Sequence, residues 1–171
     1  MHRLETDRLM LRMALREDEP VLEALFHLEE PARWLSPMPA VQEQRMLFVI
    51  VEKARDMIVG TIGFHHPVSP HHMQIGFALH PDHRHRGLMA EALACLLEEG
   101  FVTLGLNRIS AYCVKENAAS ARVLERAGFR LEGLLRRHVW LADGMKHDVK
   151  LYSLNEEEWR SRDEKRTGGQ I

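Results

Sequence analysis

Cysteine is scarce in this 171-residue sequence, which contains only Cys95 and Cys113. Two cysteines form neither a disulfide framework nor a zinc knuckle, and both lie in apolar patterns typical of small core side chains. The sequence also lacks an apolar leader after Met1 and any apolar run of membrane length. We therefore expect a cytoplasmic enzyme or binding module that has no membrane partner.

An excess of charge of one sign is also lacking. The 23 lysines and arginines nearly balance 25 aspartates and glutamates, and the aromatic residues do not interleave with the basic ones, so we expect no nucleic-acid partner. Histidine is frequent, and the pairs at 65–66 and 71–72 suggest metal binding. However, neither Glu nor Cys stands at the spacing of a zinc motif, and adjacent histidines on a strand point to opposite faces. We therefore predict no metal site.

The length and the apolar content suit one globular domain. The order of the patterns favours an α+β fold in which helices flank a mixed sheet of six to seven strands. We expect the domain to cover residues 1–155, and the charged tail at 156–171 to fray. Strands are predicted over residues 1–16, 46–51, 58–65, 73–79, 109–114, 129–140 and 146–154, helices over 17–29, 88–104 and 118–127, and chain breaks at 31–39 and 67–70.

The most informative segment is residues 75–93 (IGFALHPDHRHRGLMAEAL), which predicts a strand, a basic loop and a long helix. The start of a helix offers free N–H groups and the positive end of its dipole, which together bind anions. Arg84 and Arg86 add positive charge there, and Gly87 allows a ligand to approach the backbone closely. This pattern predicts phosphate or pyrophosphate binding, although a solvated surface turn explains the same residues about equally well.

A second helix is predicted to start at Asn117 and to end at Gly128. Asparagine is a favoured N-cap and glycine a favoured helix terminator, so capping explains both residues without any ligand. Capping does not explain Ser120, although serine is common in the first turn of a helix.

Taken together, three blocks resemble the GCN5-related N-acetyltransferase (GNAT) family, and most closely its branch of Rim-type ribosomal-protein N-terminal acetyltransferases. The first block is residues 4–12 (LETDRLMLR), and the second is residues 84–93 (RHRGLMAEAL), which is similar to the family's acetyl-CoA pyrophosphate loop. The third is residues 117–133, which open with NAAS and end with GFRLEG, and Asp148 follows on the last predicted strand.

The resemblance implies that acetyl-CoA lies in a V-shaped gap between strands 73–79 and 109–114. Its pantetheine amides would pair with the backbone of Phe77 and Leu79, and the N–H groups of residues 84–89 would bind its pyrophosphate. A thioester is already activated toward an amine, so no metal is implied. The implied cofactor-binding residues are Phe77, Ala78, Leu79, Arg84, His85, Arg86, Gly87, Leu88, Met89, Asn117 and Ser120.

This sequence departs from the family's pattern in both the loop and the acid–base groups. His85 stands where glycine is usual, and Met89 where a small residue is usual. At three positions where relatives carry acid–base residues, this sequence has Tyr112, Leu124 and Val139 instead. The resemblance leaves Ser120 to protonate the leaving thiolate, with Asn117 near it and Tyr112 able to orient a water. A histidine could replace the base, and the candidates are His65, His66, His72, His80 and His138.

The implied activity is transfer of an acetyl group to a primary amine. A protein α-amine has a pKa of about 7.7–8, against about 10.4 for lysine, so a site without a dedicated base suits an α-amine. We expect a protein N-terminus of the ribosomal-protein type as the acceptor, or otherwise a small-molecule amine. Only residues 34–45 separate the first predicted helix from the second predicted strand, and they include Pro37 and Pro39. This short segment predicts a reduced second helix and an open acceptor cleft.

Two further expectations remain open. The altered acid–base positions are also consistent with an acetyl-CoA-binding sensor module that has little or no catalysis. An exposed edge at the final strands could pair between two copies of the chain, which would give a homodimer.

Overall fold

The computed structural model describes residues 3–26 and 46–167. Eight strands form one mixed sheet in the order β1-β2-β3-β4-β5-β6-β8-β7, one strand more than the upper end of the predicted range. The strands are β1 (Arg3–Glu5), β2 (Leu9–Met13), β3 (Met46–Glu52), β4 (Met57–Ser69), β5 (His72–Leu79), β6 (Arg108–Val114), β7 (Arg130–Trp140) and β8 (Lys146–Asn155). The α-helices of the described residues are α1 (Glu19–Phe26), α2 (Leu88–Glu98), α3 (Ala118–Ala127) and α4 (Glu156–Thr167).

Helices cover both faces of the sheet, as the α+β prediction requires. On one face, the apolar side of α2 and the apolar residues of α3 pack with the main core, which includes Phe48, Ile62 and Tyr152. On the other face, Leu22 of α1 packs on Val49 and its neighbours on β3. Apolar side chains project to both sides of β3, which explains why its sequence is a continuous apolar run rather than an alternating one.

The junction between β5 and β6 is the one parallel ladder among the described strands. It pairs His72–Ile75 with Arg108–Ala111 and ends there. Both strands continue for several residues beyond the ladder, so they diverge and open a gap. The V-shaped gap that the family resemblance implied is therefore present.

The structure differs from the predicted elements at three places. The single strand predicted over residues 1–16 is, in its described part, a hairpin of β1 and β2. The predicted break at 67–70 is wrong, because β4 continues to Ser69, and the register shifts on both sides of Pro67 accommodate that residue. The long predicted helix at 88–104 ends as α2 at Glu98 and continues as a π-helical turn over Glu99–Thr103.

Glu156–Thr167 form α4, and both the domain limits of 1–155 and the fraying of the tail stay predictions. Trp159 anchors this charged helix, since its ring lies 5.3 Å from that of Phe101 between centroids. The chain break at 31–39 and the reduced second helix and open acceptor cleft predicted from residues 34–45 lie outside the described residues. β7 is an edge strand, as predicted, and its pairing with a second copy stays a prediction.

Candidate active site

A cleft of about 720 Å³ lies where β5 and β6 diverge. Its walls come from β5, the loop before α2, the first turn of α2, β6 and α3, and from the β7–β8 hairpin through Val139, Leu141 and Val149. The sequence-predicted residues that line it are Phe77, Ala78, Leu79, Arg84, His85, Gly87, Leu88, Met89, Tyr112, Asn117 and Ser120. The structure therefore brings nearly the whole predicted set into one cleft, and Arg86 is the member that does not line it.

The loop between β5 and α2 turns through two residues in the left-handed region. Gly87 has a φ of +77°, and His85 has a φ of +58°. A non-glycine residue in this region is disfavoured by about 1–2 kcal/mol. His85 therefore holds a backbone conformation that glycine adopts more readily. No side chain caps the start of α2 at Gly87, so the first N–H groups of α2 suit an anion such as a pyrophosphate.

Arg84 supplies positive charge in the cleft. Its Nε donates to the carbonyl of Leu79 at 3.2 Å, which ties the loop back to the end of β5. The guanidinium group therefore sits where the strand, the loop and the helix start converge.

Arg86 points to a different partner, the buried carboxylate of Glu52. Arg86 donates to Glu52 Oε1, and Arg55 donates to Oε2 at 2.9 Å. His83 Nδ1 lies 3.1 Å from the same Oε2 atom. The hydrogen bond from Arg86, helped by the one from Arg55, lowers the pKa of Glu52 to about 2 despite its burial.

A second carboxylate, that of Glu91, ties the N-terminal hairpin to α2. Arg8 Nε donates to Glu91 Oε2 at 2.7 Å, and the Thr6 hydroxyl donates to Oε1. Burial alone would raise the pKa of Glu91, but the hydrogen bonds from Thr6 and Arg8 outweigh it and lower the pKa. Arg8 also donates to the carbonyl of Arg86 at 2.9 Å. These contacts explain why the motif at residues 4–12 accompanies the loop motif.

The opposite wall of the cleft contains Asn117, Ser120 and Cys113. Asn117 Oδ1 accepts the Ser120 N–H at 3.0 Å, which is the predicted N-cap of α3. Burial raises the pKa of the Cys113 thiol, and a hydrogen bond with the Ser120 side chain opposes part of that shift. The Cys113 thiol donates to the carbonyl of Asn117 at 3.4 Å, so this wall joins the end of β6 to the start of α3.

Tyr112 is 40 % exposed and lines the cleft. Its ring lies 4.8 Å from that of His138 between centroids, at an angle of 69°. His138 follows Arg137, which has a φ of +50° and donates its N–H to Asp148 Oδ1 at 2.8 Å. A bulge in β7 thus places an imidazole against a side chain of the cleft.

The other candidate histidines have structural partners or lie elsewhere. His72 Nε2 lies 2.9 Å from the Ser110 hydroxyl, and burial lowers the pKa of His72. His80 Nδ1 accepts a backbone N–H at 3.2 Å at the start of a 3₁₀ turn. His65 packs on Gly76, where a Cβ would lie 2.4 Å from its Nε2. The side chain of His66 lies outside the described residues.

Sequence reasoning missed several features of the cleft. Arg122 and Arg126 line it from successive turns of α3, and their spacing of four on a helix that starts at Asn117 could have indicated a shared face. Glu52 could not have been found in this way, because it lies 34 residues before Arg86.

Metal ligands and membrane-spanning segments were both predicted to be absent. Within residues 3–26 and 46–167, no three His, Cys, Asp or Glu side chains are grouped so that they could hold a metal ion. No helix in this part of the chain is long and apolar enough to cross a membrane.

Comparisons with known proteins agree with this geometry. A family model of the acetyltransferase (GNAT) domain matches residues 4–130. The uncharacterized N-acetyltransferase YoaA of Bacillus subtilis is 34 % identical over 170 residues, which cover 88 % of this chain and 95 % of YoaA. The ribosomal-protein-serine acetyltransferase of Escherichia coli is 31 % identical over 109 residues, which cover 63 % of this chain and 59 % of that protein.

The same fold occurs in solved structures. The ribosomal-protein-S5-alanine acetyltransferase of Vibrio fischeri is similar, with a TM-score of 0.79 and 22 % identity over 93 % of this chain and 99 % of that one. A GNAT-family acetyltransferase from Bacillus anthracis gives a TM-score of 0.81 and 24 % identity, over 91 % of this chain and 99 % of that one.

Proposed function

The chain belongs to the GNAT acetyltransferase family, and from that premise we propose that it acetylates the α-amine of a protein N-terminus. The family makes the protein an N-acetyltransferase, and the identity of the acceptor is the proposal. The observation that supports it most is the contact between Tyr112 and His138 beside the cleft.

The cleft fits acetyl-CoA, the cosubstrate of the family. The start of α2 lacks a side-chain cap and lies next to Arg84, which suits a pyrophosphate. The end of β5 extends past its ladder with β6, so the backbone of Phe77 and Leu79 suits the pantetheine amides. An N–H near Ala78 suits the thioester oxygen as negative charge develops on it.

Ser120 is the proposed proton donor to the departing thiolate of CoA. Its side chain acts on a sulfur atom at the wall of the cleft, since it lowers the pKa of the Cys113 thiol against the effect of burial. Asn117 holds the first turn of α3 and thereby places Ser120.

The acceptor side favours an amine that loses its proton easily. A protein α-ammonium has a pKa of about 7.7–8, against about 10.4 for lysine, so it gives up its proton at the lower cost. His138 beside Tyr112 is the candidate base on this side of the cleft. Two similar proteins are named for ribosomal proteins, which supports the same class of acceptor.

A panel of amines tests this function. Purified protein and acetyl-CoA are mixed with a peptide whose α-amine is free, the same peptide with a blocked α-amine, spermidine or lysine whose α-amine is blocked, and release of CoA thiol is followed. We expect the free-terminus peptide to have at least a ten-fold higher kcat/KM than any other amine. Faster thiol release with spermidine or lysine would contradict the proposed acceptor.

A second candidate is an acetyl-CoA sensor. Leu124 stands at a usual acid position and is fully buried in the core, which favours this alternative. A sensor would bind acetyl-CoA and release no thiol with any amine of the panel.

A further inference from the structure

We propose that Glu52 is a positioning residue for acetyl-CoA, which holds the pyrophosphate-binding loop in its binding conformation through Arg86. The inference rests on the cosubstrate site of the proposed function and not on its acceptor.

The Glu52 carboxylate is buried and is surrounded by basic side chains. Glu52 ends β3 and is 3 % exposed. A buried carboxylate without partners is strongly disfavoured, so its retention requires cations around it. Arg55 comes from the adjacent hairpin, whereas His83 and Arg86 come from the segment between β5 and α2. The carboxylate therefore joins the end of β3 to the loop that follows β5.

The side chain of Arg86 points away from the cleft, unlike its neighbours in the loop. Its guanidinium group lies on Glu52, whereas its neighbours Arg84, His85 and Gly87 line the cleft. The carbonyl of Arg86 is held as well, because Arg8 donates to it at 2.9 Å. Both the side chain and the backbone of Arg86 are thus fixed from outside the cleft.

These two contacts act next to the strained part of the loop. His85 and Gly87 flank Arg86, and both have left-handed φ values. A conformation of this kind persists in a non-glycine residue only when surrounding contacts enforce it. With Arg86 fixed on Glu52, the N–H groups at the start of α2 are presented to an anion before it binds. Without the contact between Arg86 and Glu52, the loop would become ordered only when the anion binds.

The test compares binding of CoA with binding of pantetheine, which lacks the pyrophosphate. Calorimetry with the purified full chain needs no acceptor, so its result is independent of the amine panel. We expect Glu52→Gln and Arg86→Met each to weaken CoA binding about ten-fold and to leave pantetheine binding unchanged. The double variant should bind CoA no more weakly than either single variant, since both remove one contact.

The matched control is Glu5→Gln, which removes an exposed carboxylate paired with Lys53 at 2.9 Å. It should bind CoA like the native protein. For Glu52→Gln and Arg86→Met, kcat with the best amine of the panel should stay within two-fold of the native value. The defect should therefore show only as a higher KM for acetyl-CoA.

Three outcomes would overturn the proposal. CoA binding that is unchanged or tighter in Glu52→Gln, together with weaker binding in Arg86→Met, would mean that Arg86 binds the phosphates itself. Equal losses for CoA and pantetheine would mean that the contact only maintains the fold. Additive losses in the double variant would mean that the two residues act separately. If Glu52→Gln does not fold, Arg86→Met and Arg86→Lys change the exposed side of the pair and give the same comparison.

Discussion

The ring of His138 packs edge-on against that of Tyr112, with 4.8 Å between centroids. Arg137 precedes His138 in a left-handed conformation, and Asp148 accepts its N–H. Backbone strain in a non-glycine residue is typical of sites where function requires a particular orientation. The bulge of β7 thereby presents an imidazole beside the cleft, on the wall opposite the pyrophosphate loop.

Replacing His138 should lower the rate of acetyl transfer without weakening the binding of acetyl-CoA. We expect His138→Gln to reduce kcat/KM for the best acceptor about 10–100-fold, since general bases contribute at least this much. KM for acetyl-CoA should not change.

The matched variant is His147→Gln. His147 lies on β8 with its imidazole bound to Asp143 at 2.7 Å, and its loss should leave kcat/KM intact. A native kcat/KM in His138→Gln, or the same loss in both variants, would rule out His138 as the base.

Ser120→Ala should lower turnover without changing stability. We expect kcat to fall at least ten-fold because the thiolate loses its proton donor, while the melting temperature stays native. Thiol release and thermal unfolding measure the two quantities. Ser161→Ala, on the remote helix α4, controls for loss of a helical hydroxyl. Turnover of Ser120→Ala within two-fold of native would show that the role assigned to Ser120 is wrong.

The left-handed glycine of the loop should matter for binding as well as for folding. Gly87→Ala introduces a Cβ at a φ of +77° and should cost about 1–3 kcal/mol of stability and raise KM for acetyl-CoA several-fold. Gly105→Ala has a φ of +61° with no atom within 4 Å of the new Cβ, and Gly105 does not line the cleft. It should lose similar stability and keep KM. An equal rise of KM in both variants would contradict a local role for Gly87.

Glu52 should contribute to stability in a pH-dependent way. Its pKa is about 2 in the folded protein, against an ordinary value of 4.5, so its stabilising effect is present above pH 4.5 and is lost as the pH falls toward 2. Glu52→Gln should therefore be less stable than the native protein at pH 7, and the difference should shrink between pH 4.5 and 2. Urea unfolding at a series of pH values measures it, and a difference independent of pH would contradict the assignment.

Much of the fold was predictable, because apolar periodicity reports burial. The cap at Asn117 and the terminator at Gly128 were predicted at the residues where the structure has them. The exceptions have physical reasons. β1 has three residues with a polar, exposed edge, and α4 has mostly charged residues whose contact with the core depends on Trp159. Neither offers an apolar stripe that sequence reasoning could find.

The candidate site was predictable where local sequence determines it. Loop residues that line the cleft are contiguous with a strand and a helix, so their placement follows from those elements. The direction of the Arg86 side chain was not predictable, because its partner Glu52 is distant in sequence and comes from another strand. The contact of Tyr112 with His138 likewise depends on a bulge in β7, which shifts the register between Leu135 and Val139.

The site of acetylation on a single peptide distinguishes an α-amine acceptor from a lysine acceptor. A peptide with a free α-amine and an internal lysine is incubated at pH 7 with acetyl-CoA and the purified protein, and fragment mass spectra locate the acetyl group. We expect one acetyl group, on the α-amine, and the peptide with a blocked terminus should stay unmodified. Acetylation of the lysine in preference to the terminus would contradict it.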